Sequence, residues 1–184
     1  MRRTVTPMKV HGHDVELTTY DPAAPQVFAE LAELLAAMVP EGARIEHVGS
    51  TAVPGLGGKG IIDALVLVEP ERAAQVAATL WEAGFDDDPD KHHQAEDWWY
   101  AAGVFERPSG ESYLVHIHVT WFGSRFGTDL LDFRDYLREH PEEAGRYDRL
   151  KQQWREEAGE NRERFTDLKS PYVASVLARA RGRE

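Results

Sequence analysis

The chain of 184 residues contains no cysteine. Disulfide frameworks, thiolate zinc sites and cysteine nucleophiles are excluded together. Long apolar runs are missing too, and none approaches the roughly 18 residues that a membrane-spanning helix needs. Met1-Arg2-Arg3 has no hydrophobic stretch of the secretory kind behind it, so the expected location is the cytoplasm. Positive charge is in deficit: 21 Lys and Arg stand against 32 Asp and Glu, a net charge of -11. A general binder of nucleic-acid backbone carries the opposite sign, which argues against nucleic acid as the main partner and leaves room for a local basic patch. What is present suits a folded chain. The 42% hydrophobic content and five Trp exclude disorder. The length predicts one domain over residues 1–184, able to bury roughly 70% of the surface its unfolded chain would expose.

The order of patterns predicts an α/β or α+β fold with a mixed sheet. Residues 1–12 are polar and predict an irregular start, and Val15-Glu16-Leu17 alternates like a short strand. Asp21-Pro22 reads as a helix start, with Asp as N-cap, ahead of Val27, Phe28, Leu31, Leu34, Leu35 and Met38 at helical spacing. Residues 44–48 alternate as a strand, and residues 49–60 form a Gly/Pro-rich loop. Residues 61–68 read as a buried strand carrying one acid, Asp63. A helix from Pro70 to Gly84 follows, then a hairpin of strands 98–105 and 113–119 around Pro108-Ser109-Gly110. Trp121 and Phe122 are expected in the core. Residues 129–157 are helical with a break at His140-Pro141, and Ser170-Pro171 is expected to start a last helix. The core falls at about 14–122 and a helical C-terminal part at about 129–180.

Gly55-Leu56-Gly57-Gly58-Lys59-Gly60 contains G-x-G-x-x-G, but a strand follows it where a dinucleotide fingerprint needs a helix. Gly58-Lys59 fails as a P-loop, because Val53 and Gly60 occupy positions that need Gly and Ser/Thr. A third arrangement fits the spacing. Backbone N–H groups after Gly49, with the Ser50 or Thr51 hydroxyl, could bind a triphosphate. Lys59 would add positive charge, and Asp63 would hold a divalent cation against the phosphates. The competing reading is a tight strand-to-strand turn whose glycines only supply positive φ.

The segment His47-Val48-Gly49-Ser50-Thr51-Ala52-Val53-Pro54-Gly55-Leu56, with Lys59 and Ile61-Ile62-Asp63, resembles the signature of the GrpB-like family. Tyr20-Asp21-Pro22, His116-Ile117-His118-Val119, Phe133-Arg134-Asp135-Tyr136-Leu137, Tyr147, Lys151, Phe165-Thr166 and Lys169 extend the resemblance over about residues 14–180. The resemblance implies a nucleotidyltransferase-like mixed sheet flanked by helices. The family's activity is largely unassigned. Some members are fused to a dephospho-CoA kinase domain, and no usable P-loop of that kind is read in these residues.

The resemblance further implies a metal-dependent nucleotidyltransferase acting on a small molecule, with a nucleoside triphosphate as co-substrate and Mg²⁺ or Mn²⁺ as cofactor. Gly49, Ser50 and Thr51 would hold phosphate, assisted by Lys59, Arg134 and Lys151, and Lys169 stands on a similar helix. Asp63 matches the first metal carboxylate of that superfamily. Leu65 stands where the second belongs, and His116 and His118 stand on the strand that should supply the third. Strand alternation points both histidines to one face, where they could act as acid and base. With Asp63, and with His47 joining them, they would make a set suited to Zn²⁺ or Fe²⁺. Two further readings therefore stand beside transfer: a non-catalytic nucleotide-binding module, and a His/His/Asp transition-metal enzyme. Plain hydrogen-bonded imidazoles on a half-polar sheet face are the simpler account. The acidic loop with His92 and His93 reads as solvated, or as a lid or weak cation site. Trp98-Trp99-Tyr100 reads as strand packing, or as a ring for stacking on a base. Extra glycine at 57, 58 and 60 predicts a flexible loop. The oligomeric state is left open, a homodimer included.

Overall fold

The computed structural model describes residues 4–6, 17–87 and 97–182. Five strands form one mixed sheet: β1 (Thr4–Thr6), β2 (Arg44–Val48), β3 (Ile62–Val68), β4 (Trp99–Glu106) and β5 (Ser112–Trp121). Their order is β1-β4-β5-β3-β2. β3 and β5 run parallel at the centre, and the other pairings are antiparallel. Among the described residues five α-helices cover the sheet: α1 (Ala24–Ala36), α2 (Ala73–Glu82), α3 (Arg125–Glu139), α4 (Pro141–Ala158) and α5 (Arg162–Ala180). The chain is therefore a mixed α/β protein with a helical C-terminal segment. Among the described residues no helix is long and apolar enough to cross a membrane.

Alternation along β3 and β5 decides what each face carries. Ile62, Ala64, Val66 and Val68 join Val115, Ile117 and Val119 on one face, buried beneath Val27, Leu31 and Leu35 of α1 and Val76 and Leu80 of α2. The opposite face carries Asp63, Leu65 and Leu67 beside His116, His118 and Thr120. On that face Val48, Leu65 and Leu67 pack against Phe126, Leu130 and Leu131 of α3. A third apolar cluster joins Val53 and Leu56 of the loop to Leu137, Ala144 and Tyr147. The C-terminal helices thus fold back over the Gly/Pro-rich loop and leave the polar end of the second face beside it.

Several boundaries depart from the sequence expectations. The irregular start contains β1, paired to β4. Val15 and Glu16 lie outside the described residues, as do 88–96 of the acidic loop, including His92 and His93. α1 begins at Ala24, because the Asp21 carboxylate accepts from the Ala23 N–H at 2.8 Å and caps a preceding turn instead. Phe122 is exposed, at 39%, and is not core. Pro171 lies inside α5. That helix starts nine residues earlier, after Gly159 at φ 59, with the Asn161 side chain accepting from the Arg164 N–H at 2.9 Å. The Ser170 hydroxyl donates back to the Thr166 carbonyl at 2.7 Å, so it is not a cap.

Parity also moves His47. It pairs in register with Ala64, so it shares the α1 side of the sheet and not the face of Asp63. Its ring stacks on Phe28 with centroids 4.4 Å apart, and its Nε2 lies 3.1 Å from the Thr51 hydroxyl. That hydroxyl donates to the Ile61 carbonyl, so the His47 Nε2 carries the proton it shares with Thr51. His47 is a packing residue, and the expectation that it joins a metal site with His116 and His118 is corrected by strand alternation.

Two measurements check this layering. Ile117→Ala removes a fully buried side chain between sheet and helices and should cost about 2–5 kcal/mol in urea unfolding. Burial lowers the His47 pKa to about 4. The unfolded chain then binds a proton between pH 6.5 and 4 that the folded chain refuses, so stability falls as pH drops through that window. The loss should reach about 3 kcal/mol in wild type. His47→Asn should flatten that limb of the stability–pH curve.

Candidate functional site

Asp63 is the only acidic side chain on β3, a strand otherwise built of Ile, Ala, Leu and Val. The backbone turns sharply beside it. Gly49 has φ 72, and a side chain there would collide with the Asp63 carboxylate. The glycine is thus required twice over, by its conformation and by the close approach. Register places His116 directly beside Asp63 on β5. The His116 Nδ1 lies 3.4 Å from Asp63 Oδ1 and the His118 Nε2 3.7 Å from the same oxygen. Burial works against the Asp63 charge, but the two imidazoles outweigh it and hold the carboxyl well below the usual carboxylate range.

An aromatic wall closes the far side. The His118 ring has the Trp98, Tyr100 and Phe126 rings within 5.6–5.8 Å, and Trp98 stacks on Phe126 at 4.7 Å. Tyr100 also meets His116 edge-on at 5.2 Å. Trp98 is therefore packed against a neighbour and is not a free stacking ring. Asp63, His116 and His118 keep 17–21% of their side-chain surface exposed, so the cluster is open to small molecules.

The loop that frames this cluster is pinned along its length. Thr18 exchanges both backbone hydrogen bonds with Gly58, at 2.7 and 3.0 Å. Arg138 donates to the Ala52 carbonyl at 2.8 Å, and the Lys151 ammonium donates to the Gly57 carbonyl. The glycines do not loosen it. A side chain at Gly57 would meet the Thr18 carbonyl and Asp148, and one at Gly58 would strike the Ser50 hydroxyl. At Gly57 and Gly58 the bare Cα leaves room for a contact, and at Gly60 the positive φ is what calls for glycine.

Some of the expected phosphate holders have other work. The Thr51 hydroxyl is buried between His47 and the Ile61 carbonyl. Arg134 is buried too: it donates to Glu46 at 2.6 Å, to Asp135 at 2.7 Å and to the His47 carbonyl at 2.9 Å, tying α3 to β2. Lys151 is committed to Gly57, lies 3.4 Å from Asp148, and sits 4.9 Å above the Tyr147 ring. These three hold the frame, and their assignment to a ligand is corrected. Gly49 and Lys59 remain exposed, and Ser50 is half-buried. The Lys59 ammonium stands 6.0 Å from the centre of the Phe165 ring.

Among the described residues no three His, Asp or Glu side chains are arranged to hold a metal ion. Both imidazoles turn a nitrogen toward one carboxylate oxygen. Leu65, where a second carboxylate would stand, is fully buried against α3. Arg138 was the frame residue that sequence reasoning missed; nothing in its spacing marks a contact with a loop 86 residues earlier.

Comparison with known proteins follows the same outline. The GrpB protein family matches residues 14–179. A UPF0157 protein of Pseudomonas aeruginosa is 36% identical over 171 residues, covering 90% of this chain and 67% of that protein. A UPF0157 protein of Halalkalibacterium halodurans is 30% identical over 182 residues, 96% of this chain and 88% of that one. The crystal structure of the conserved protein GrpB from Enterococcus faecalis superposes with a TM-score of 0.69 at 27% identity, covering 90% of this chain and 96% of that chain. With a match running from residue 14 to residue 179, the chain belongs to the GrpB family.

Proposed function

We propose that this chain binds a phosphorylated small molecule, a nucleoside triphosphate first among them, beside Asp63 and the 49–60 loop. One observation carries the reading: a carboxylate kept charged by two imidazoles lies open to solvent against the bare backbone of Gly49. A core carboxylate with no task would be costly to retain. Gly49 allows close approach of a ligand's phosphates, and Ser50 and Lys59 offer a hydroxyl and a positive charge from the same loop. A lone carboxylate suits Mg²⁺ that arrives with the phosphates, since that ion is commonly held by one or two carboxylates plus substrate oxygens. Such an ion would neutralise phosphate charge.

The chemistry in reach is nucleotidyl transfer. The acceptor's hydroxyl oxygen would bond to the α-phosphorus as the bond to pyrophosphate breaks, and the hydroxyl proton would pass to solvent. The net charge of -11 favours a small-molecule acceptor over nucleic acid. The cytoplasm, where nucleoside triphosphates are plentiful, is the fitting location. A second reading is binding without turnover. The burial of Leu65 favours it, because no second carboxylate can enter from that position.

A thermal-shift series with ATP, GTP, CTP and UTP, each with and without Mg²⁺, tests the reading. Ligand at a hundredfold over Kd should raise stability by about 2.7 kcal/mol and the midpoint by about 5–10 °C. Asp63→Asn should fold and lose the Mg²⁺-dependent part of the shift. No shift with any nucleotide would overturn the proposal. A shift without pyrophosphate release would select the non-catalytic reading.

A further inference from the structure

Four cationic side chains approach the site from the C-terminal helices, and three are already engaged. Arg134 is held by Glu46, Asp135 and the His47 carbonyl. Arg138 is held by the Ala52 carbonyl, and Lys151 by the Gly57 carbonyl and Asp148. Lys169 is different. Among the described residues it makes no hydrogen bond or ion pair. It lies on α5 four residues after Phe165, one helical turn on, so both project from the same side of the helix. Phe165 is the ring over which the Lys59 ammonium stands, so that side faces the loop.

The charge of Lys169 is felt at two points of the site. It is attracted by Asp63 and repelled by Lys151. Burial lowers its pKa, and the attraction of Asp63 opposes that. A half-buried ammonium with three N–H donors and no acceptor is expensive, unless something else supplies the acceptors. Lys59 and Lys151 put two further positive charges at the segment 57–59, in a chain whose overall balance is strongly negative.

We infer that Lys169 is the anion-holding residue of this site and that the ligand it holds carries a phosphate or polyphosphate group. The inference rests on the placement of a phosphorylated ligand beside Asp63. The ammonium projects from the loop-facing side of α5 and takes the ligand's oxygens as the acceptors it lacks in the free protein. It makes the substrate class a polyanion and gives the last helix a part in binding.

Calorimetric titration with inorganic tripolyphosphate, without any divalent cation, isolates this contact. Wild type should bind. Lys169→Met, checked for an unchanged circular dichroism spectrum, should bind at least about tenfold more weakly. Lys169→Arg, which keeps the charge, should stay within about threefold of wild type. Arg72→Met, which removes an exposed charge of the same sign on the α2 side of the sheet, should lose no more than about threefold. Failure of wild type to bind tripolyphosphate overturns the inference. So does an equal loss in Arg72→Met and Lys169→Met, which would mark a diffuse charge effect. Nucleotide-dependent thermal shifts of equal size in wild type and Lys169→Met would overturn Lys169 alone and leave nucleotide binding standing. Absence of both tripolyphosphate binding and nucleotide shifts would remove the two together.

Discussion

A carboxylate on the central strand of a sheet has to be kept charged, and the means of doing so shape everything around Asp63. The strand beside it runs parallel, and register puts His116 next to it and His118 two residues further along the same face. Two imidazoles on one oxygen are enough to outweigh the burial penalty. The carboxylate's other side is closed by Gly49, whose missing side chain and positive φ allow the backbone to turn against it. The turn from β2 into the loop is thus fixed by an electrostatic constraint on β3. Any side chain at position 49 would have to displace the charge that the histidines hold.

From that point the loop needs anchoring, and the helices supply it. Arg138 comes from α3, Lys151 from α4, and the apolar contacts of Val53 and Leu56 reach Leu137, Ala144 and Tyr147. Thr18 holds the loop from the N-terminal side. The C-terminal segment is therefore part of the site's frame. Pinned glycines of this kind give precision of placement, because each contact is made by backbone that cannot rotate a side chain into the way. Removing the last helix would expose the loop and take Lys169 with it.

Much of this was legible in the sequence. The eight-residue aliphatic run with one acid was read as a buried strand, and His-x-His as one face of another, from alternation alone. Both stand, and Asp63, His116 and His118 do converge. What alternation could not give was pairing. Whether His47 shares the face of Asp63 depends on the register of β2 against β3, which no local pattern encodes. Arg134 and Lys151 looked like free cations for the same reason: their partners, Glu46 and Gly57, lie 88 and 94 residues away. Ser170-Pro171 misled differently. N-cap and first-turn chemistry is a local preference, and the packing of α5 along α3 and α4 overrides it. The Gly-rich loop was read as loose because glycine frees the backbone of an unfolded chain. In the folded one it permits the contacts that fix it.

The burial of Leu65 has a consequence for the charge of the site. A pair of carboxylates would make an anionic mouth that needs a cation before any phosphate can approach. Leu65 instead joins Val48, Leu67 and Phe126 in an apolar cluster, and the position is closed to water. One negative charge remains, faced by two imidazoles and by lysines on the loop and the last helix. On the proposed reading such a mouth takes an anion without help, and a cation enters as the partner of its phosphates rather than as a resident of the protein. The proposed order of binding follows from the side chain at a single strand position. So does the expectation that affinity for a bare polyphosphate and affinity for a metal-bound nucleotide answer to different residues, Lys169 for the first and Asp63 for the second.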